Sequence, residues 1–297
     1  MKSFTNEMLI IQKYPDPPFK KQLQSVPGLA SEMQPCPDHG ETSYRGTGRL
    51  TGRKALITGE DSGIGRAVAI AYVREGADVA INYLPDEEQD AAEVIKLIEA
   101  EGRKTIAIPG DIRSEEFCQK LVEEAGSQLD GLNILVNNAG RQQFNEYIRT
   151  LSTEDFDATF KTYVYAMFWI TKAALEYLPA GSSIINTISV QVYDPSAILL
   201  DYSQTKASIA AFTKALAKQL GEQQIRVNAV APGPYWTPLQ ICGGQPQEKV
   251  EQFGANAPLG RPGQPAEIAP LYVTFAETTY SFTSGQVWCS DGGTGTL

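Results

Sequence analysis

Histidine is almost missing from this sequence: His39 is the only one in 297 residues. It stands in a polar stretch near the N-terminus, so a Ser-His-Asp triad and a histidine-built zinc site are both excluded from the body of the chain. Cysteine is sparse too. Cys36, Cys118, Cys242 and Cys289 are scattered, with no C-x-x-C pair among them. That excludes a thiolate metal cluster and reads as reduced thiols, which makes the cytoplasm the expected location. No apolar run is long enough for a membrane span or a signal peptide; the run 8–11 near the start is soon followed by prolines. Positive charge is also short, with 25 Lys and Arg against 35 Asp and Glu, and the basic residues form no cluster. Nucleic acid and anionic membrane surfaces are therefore not expected partners. A phosphate-bearing cofactor stays possible, because a helix N-terminus binds phosphate without side-chain charge.

What is present is a regular alternation. Hydrophobic residues make up 42% of the chain, enough for one large core. Short apolar runs at 55–58, 79–83, 105–109, 134–137, 183–188, 227–231 and 287–290 read as strands. Amphipathic stretches such as 65–75, 88–101, 114–129, 202–221 and 266–276 read as helices between them. Alternating β and α elements imply a single α/β domain, a doubly wound parallel sheet with helices on both faces. Residues 1–49 differ: they carry Pro15, Pro17, Pro18, Pro27, Pro35 and Pro37 and read as an extended arm. Tyr14, Phe19, Leu23 and Leu29 give that arm something to pack with, on its own domain or on a neighbouring subunit. Residues 50–297 form the domain proper. Within it, 232–264 is long and rich in Gly and Pro, as lids and binding elements are.

Two local patterns carry chemistry. The first strand runs into Thr58-Gly59-Glu60-Asp61-Ser62-Gly63-Ile64-Gly65, followed by a helical pattern. Small residues let the backbone turn sharply and approach a pyrophosphate at the positive end of the helix. A plain glycine-rich turn is the bland alternative. Tyr202 and Lys206 form a Y-x-x-x-K pair at the start of a helical pattern, which places both on one helix face. A tyrosine titrates near 10 in water and needs a shift of about 3 units to exchange protons at neutral pH. A fixed ammonium nearby is the kind of field that supplies it. Ser189 lies near the end of the preceding strand, where a hydroxyl can orient a carbonyl oxygen.

Together these elements resemble the short-chain dehydrogenase/reductase family, from about residue 50 to the C-terminus. The glycine turn, Asn137-Asn138-Ala139-Gly140 after the fourth strand, Ser189, Tyr202, Lys206 and Pro232-Gly233 stand in family order. The arm, YLPDEE after the second strand, LLDYSQTKA and APGPYWTPLQ look like the bacterial aldehyde reductase and glucose-dehydrogenase-like branch. The resemblance implies a Rossmann-type fold and an NAD(P)-dependent oxidoreductase. Tyr202 would act as general acid for carbonyl reduction and as base for alcohol oxidation. Lys206 would lower its pKa and hold the nicotinamide ribose, and Ser189 would position the carbonyl. The implied cofactor-binding set begins with Gly59, Asp61, Ser62, Gly63, Ile64 and Gly65 in the turn. It continues with Asn82, Tyr83 and Leu84, then Asp111, expected to meet the adenine amine, and Ile112. Asn138, Ala139 and Gly140 would line the cleft with Tyr202 and Lys206, and Pro232, Gly233, Tyr235 and Thr237 would hold the carboxamide side. Hydride chemistry belongs to the cofactor and orientation to the protein.

Two positions depart from the family pattern. Tyr163 stands where an asparagine usually feeds a water relay to the lysine. Its phenol serves as a donor there, or its bulk displaces the relay water; reduced but measurable activity is expected. Glu60 stands where a small residue is usual, and a carboxylate facing the cofactor would oppose added negative charge; a solvated side chain pointing away is the alternative. After the second strand come Asn82-Tyr83-Leu84, with no acid until Asp86, so NADP is the expected cofactor and NAD the alternative. Gln191, Tyr193, Trp236 and Leu239, with Ile198, Leu199 and Phe253, suggest an apolar, roomy pocket for a small neutral carbonyl or alcohol. Three functions follow: an aldehyde or ketone reductase, a sugar or polyol dehydrogenase working oxidatively, and a weakly catalytic nicotinamide-binding sensor or scaffold. No metal is expected. The resemblance further implies a homo-oligomer, a tetramer.

Overall fold

Side chains along the central strands alternate between two cores, and this alternation explains the layered architecture. The computed structural model describes residues 14–295; the apolar run 8–11 and the ends of the two expected units lie outside the described residues. In β1 (Lys54–Thr58) Ala55 and Ile57 face one core and Leu56 the other. In β2 (Asp78–Asn82) Val79 and Ile81 separate from Ala80 in the same way, and in β4 (Ile134–Asn137) Ile134 and Val136 separate from Leu135. This is the two-residue period of a strand covered on both faces. The first core is closed by α1 (Gly63–Arg74), α2 (Glu88–Ala100) and α8 (Pro265–Ala276). The second is closed by α3 (Glu115–Leu129), α5 (Ala166–Ala174) and α6 (Leu200–Gln219). Leu56 is fully buried; truncating such a residue to alanine costs about 2–5 kcal/mol.

With β3 (Thr105–Ala107), β5 (Ser183–Thr187), β6 (Arg226–Pro232) and β7 (Val287–Ser290), the sheet has seven strands in the order β3-β2-β1-β4-β5-β6-β7. Every pairing is parallel. The order reverses between β1 and β4, which opens a crevice at the carboxyl ends of these two strands. Between β4 and β5, α4 (Thr153–Phe160) runs through a wide turn, Lys161–Tyr165, into α5.

Residues 14–49 run along the surface of this same domain. The Phe19 ring stacks on Trp236 at 4.2 Å, and its N–H donates to the Glu251 carbonyl at 2.8 Å. Further on, Asp90 of α2 accepts from the Ala30 N–H at 2.6 Å and the Ser31 hydroxyl at 2.7 Å. The arm thus ties the 232–264 segment, which holds the short helix α7 (Gln247–Glu251), to α2. Leu23, expected to help pack the arm, is instead 72% exposed.

Candidate active site

The glycine turn works through the residues that surround it. Gly59 (φ +67°) and Gly63 (φ +53°) occupy the left-handed region, which side chains avoid. A Cβ on Gly59 would also fall 2.6 Å from the Ala139 Cα. Asn138 clamps the turn: its side-chain amide donates to the Gly59 carbonyl at 2.9 Å, and its N–H donates to Thr58 Oγ1 at 3.1 Å. Ser62 precedes α1 without capping it through its side chain. The first amides of a three-turn helix are therefore left facing the crevice, a ready anion site.

A cavity of about 410 Å³ opens there. All the expected cofactor-binding residues line it except Gly65, which packs beneath the turn. Ser189, Tyr202, Lys206 and Tyr163 line it as well. The bare α1 N-terminus and the glycines fit a nicotinamide dinucleotide: Gly59 to Ile64 would hold its pyrophosphate and Lys206 a ribose. Asp111 is tied to Arg113 by hydrogen bonds of 2.6 and 2.8 Å, so the two form one polar unit on the cavity wall. Asn82 donates to the Ile108 and Gly110 carbonyls at 3.0 and 3.1 Å and shapes that wall from behind. Among the described residues, no cluster of His, Cys, Asp and Glu could hold a metal ion.

The groups expected to handle the proton converge because α6 starts two residues before Tyr202 and puts Lys206 one turn on. All three are buried: Ser189 and Tyr202 are 7% exposed and Lys206 is 2% exposed. Burial pushes the Tyr202 phenol up to about 12, and the hydrogen bond from Ser189 acts against it. Burial pulls the Lys206 ammonium down to about 7; its Nζ donates to the Thr187 carbonyl at 2.8 Å. The lysine was expected to lower the tyrosine. In the protein by itself burial dominates both groups and holds the phenol neutral.

Several expectations are corrected. Glu60 neither faces the cofactor nor meets solvent. It is fully buried, accepts the Asn82 N–H at 2.9 Å, and lies outside the cavity. Burial and the neighbouring Asp61 raise its pKa well above the carboxylate range. Trp236 does not line the cavity: it is fully buried, stacks with Phe19 and donates to the Pro35 carbonyl at 2.8 Å. Tyr193, 38% exposed, stands outside it too. Gln191 and Leu239 do line it, but beside Gln142, Gln143, Gln240 and Gln245, so this end is richer in amides than the apolar pocket expected. The Oε1 of Gln240 is buried without a hydrogen-bond partner.

Other residues at the site escaped the sequence reading. Val26, Pro27 and Gly28 of the arm line the cavity; the proline-rich composition signalled an arm but not where it lies. Glu87 lines it as well, and its carboxyl hydrogen-bonds that of Asp61. The acidic run after the second strand was its only signal. Tyr163 accepts the Arg141 N–H at 2.8 Å.

A family model described as enoyl-(acyl carrier protein) reductase matches residues 59–295. The chain is 56% identical over 278 residues to the uncharacterized oxidoreductase YhxD of Bacillus subtilis (strain 168), covering 93% of each. The chain belongs to the short-chain dehydrogenase/reductase family. This oxidoreductase is also 41% identical over 280 residues to NADPH-dependent aldehyde reductase 1, chloroplastic, of Arabidopsis thaliana, covering 92% of this chain and 97% of that one. Its fold matches a crystal structure of a short chain dehydrogenase from Burkholderia cenocepacia J2315 in complex with NADP. That match has a TM-score of 0.77 and 32% identity, over 82% of this chain and 98% of that chain. No helix among the described residues is long and apolar enough to cross a membrane.

Proposed function

We propose that this short-chain dehydrogenase/reductase reduces small neutral aldehydes or ketones with NADPH, using NADH as the alternative, with Tyr202 as the proton donor. The observation that carries this is the opening of Ser189, Tyr202 and Lys206 onto the same cavity as the bare N-terminus of α1. When bound, the dinucleotide supplies hydride to the carbonyl carbon. The chain's own residues do the rest. Tyr202, held as a neutral phenol with its pKa near 12, gives its proton to the forming alkoxide, and Ser189 orients the carbonyl oxygen. Lys206 holds the ribose and places a positive charge near the phenol as that proton leaves. The NADPH assignment is supported by the Arabidopsis and Burkholderia relatives and by Arg113 on the cavity wall.

A second reading, oxidation of a sugar or polyol, is favoured by the glutamines at the cavity. An amide both donates and accepts, as a row of hydroxyls requires. Loss of NADPH and NADH absorbance with a panel of aldehydes, ketones and open-chain sugars tests both readings. Turnover of simple aldehydes supports the first, and preference for hydroxylated substrates the second. Cofactor binding with no turnover of any substrate would favour a sensor. The scattered thiols Cys36, Cys118 and Cys242 support a reducing, cytoplasmic setting. Tyr165 and Phe168, 48% and 46% exposed, support assembly with further copies into a tetramer, which light scattering would check.

A further inference from the structure

Tyr163 lies on the wide turn Lys161–Tyr165 between α4 and α5, a helix irregularity that often re-aims a side chain at a functional site. It is 4% exposed and meets three neighbours at once. Its ring face lies 3.9 Å from Lys206 Nζ. Its ring stands edge-on to Tyr202, with centroids 5.6 Å apart and planes at 79°. Its hydroxyl oxygen accepts the Arg141 N–H at 2.8 Å.

A side chain that only filled core space would have no use for that polar tip. The Gly140–Arg141 backbone is shaped around it, since a Cβ on Gly140 would fall 2.8 Å from the Tyr163 oxygen. The groups facing Lys206 are few: Tyr163 from the wide turn, Tyr202 from its own helix, and the Thr187 carbonyl from β5. Asp201, the acid in the first turn of α6, acts on Tyr163, and burial lowers Lys206. A buried ammonium without a carboxylate partner is expensive. An aromatic face within about 6 Å attracts a cation most strongly where water is excluded.

On the oxidoreductase reading above, we infer that Tyr163 is a positioning residue acting through both ends. Its ring face keeps the Lys206 ammonium charged and held beside Tyr202, and its hydroxyl fixes the Gly140–Arg141 turn on the cavity wall. The two roles separate by substitution, since Tyr163→Phe keeps the ring and loses the hydroxyl, whereas Tyr163→Met and Tyr163→Leu lose both.

The test is a ¹⁵N NMR titration of lysine Nζ in the protein without cofactor, labelled with ¹⁵N-lysine. The Lys206 resonance is assigned by its loss in Lys206→Arg. In Tyr163→Phe, Lys206 titrates within about 0.3 unit of the parent, while the substrate KM rises because the Arg141 N–H has lost its acceptor. In Tyr163→Met and Tyr163→Leu the Lys206 protonation constant falls about tenfold, a downward shift of about 1 unit. The alkaline limb of the kcat profile moves down with it. An unshifted Lys206 in whichever non-aromatic variant folds, or an equal shift in Tyr163→Phe, overturns the inference. The Tyr202 proton-donor reading fails separately, by turnover that persists in Tyr202→Phe, and that result leaves the Lys206 titration standing.

Discussion

Gly65→Ala sets one methyl group against the phosphate-binding turn. Gly65 is not among the residues with positive φ, so the effect is steric alone. The new Cβ would fall 2.0 Å from the Gly59 carbonyl oxygen, 2.7 Å from the Glu60 Cα and 2.7 Å from Asn138 Nδ2. Two of these are backbone, and the third is held by its own bonds to the Thr58 and Gly59 carbonyls. None can swing aside. Ordinary contact lies near 3.5 Å, so α1 must withdraw from the turn by about 1.5 Å. Overpacking of this kind costs about 1–3 kcal/mol, a Tm loss of about 2–10 °C for a chain of this size. The same withdrawal misplaces the first amides of α1, and a displacement of about 1 Å near reacting groups costs about 100-fold in kcat/KM. Differential scanning calorimetry and fluorescence titration with NADPH read the two effects. An unchanged Tm with NADPH affinity within about threefold of the parent would refute this account of the turn.

Three further outcomes follow from the site. Ser189→Ala removes the hydrogen bond that restrains the Tyr202 pKa; kcat should fall about 100-fold with NADPH affinity unchanged, and an undiminished kcat would contradict it. Burial raises the paired Asp61 and Glu87 carboxyls, to about 6 and about 8. Both folded values lie above the unfolded ones, so the stability these groups contribute is fully present below about pH 4 and is lost as pH rises from there through 6 to 8. The pair also gains negative charge across that window, so NADPH should bind progressively more weakly than NADH. Glu87→Gln should flatten the trend and raise Tm at pH 9 by about 2–4 °C; a cofactor preference independent of pH from 5 to 9 would rule this out. Phe19→Ala should free the arm from Trp236 and speed proteolysis within residues 14–36 by about tenfold, with cleavage at the parental rate as the contrary result.

The sheet was legible because its signals are local. Continuous apolar runs in β1, β2 and β4 mark strands covered on both faces, and a helical period follows each strand before β7. The cofactor side of the cavity was legible for the same reason, since its residues sit in short motifs at strand ends. The substrate side depended on long-range packing. Trp236 reads as a pocket residue until Phe19 of the arm covers it. Gln191 was legible as a pocket residue, but the other glutamines join it only once the 232–264 segment folds back on Gln142 and Gln143, which donate to the Gly244 and Cys242 carbonyls. Glu60 reads as a cofactor contact until the turn directs it toward the backbone of β2. Tyr163 was visible as a departure from the family pattern, but its ring contact with Lys206 needed the wide turn between α4 and α5.

In the proposed reaction Tyr202 supplies the proton while the rest of the cavity binds the dinucleotide. Tyr202→Phe keeps the ring and removes only that proton. NADPH binding by fluorescence and carbonyl-dependent NADPH oxidation should be measured together on this variant. Binding should stay within about threefold of the parent and turnover should fall by about 1,000-fold or more; turnover within about tenfold of the parent would contradict Tyr202 as the proton donor.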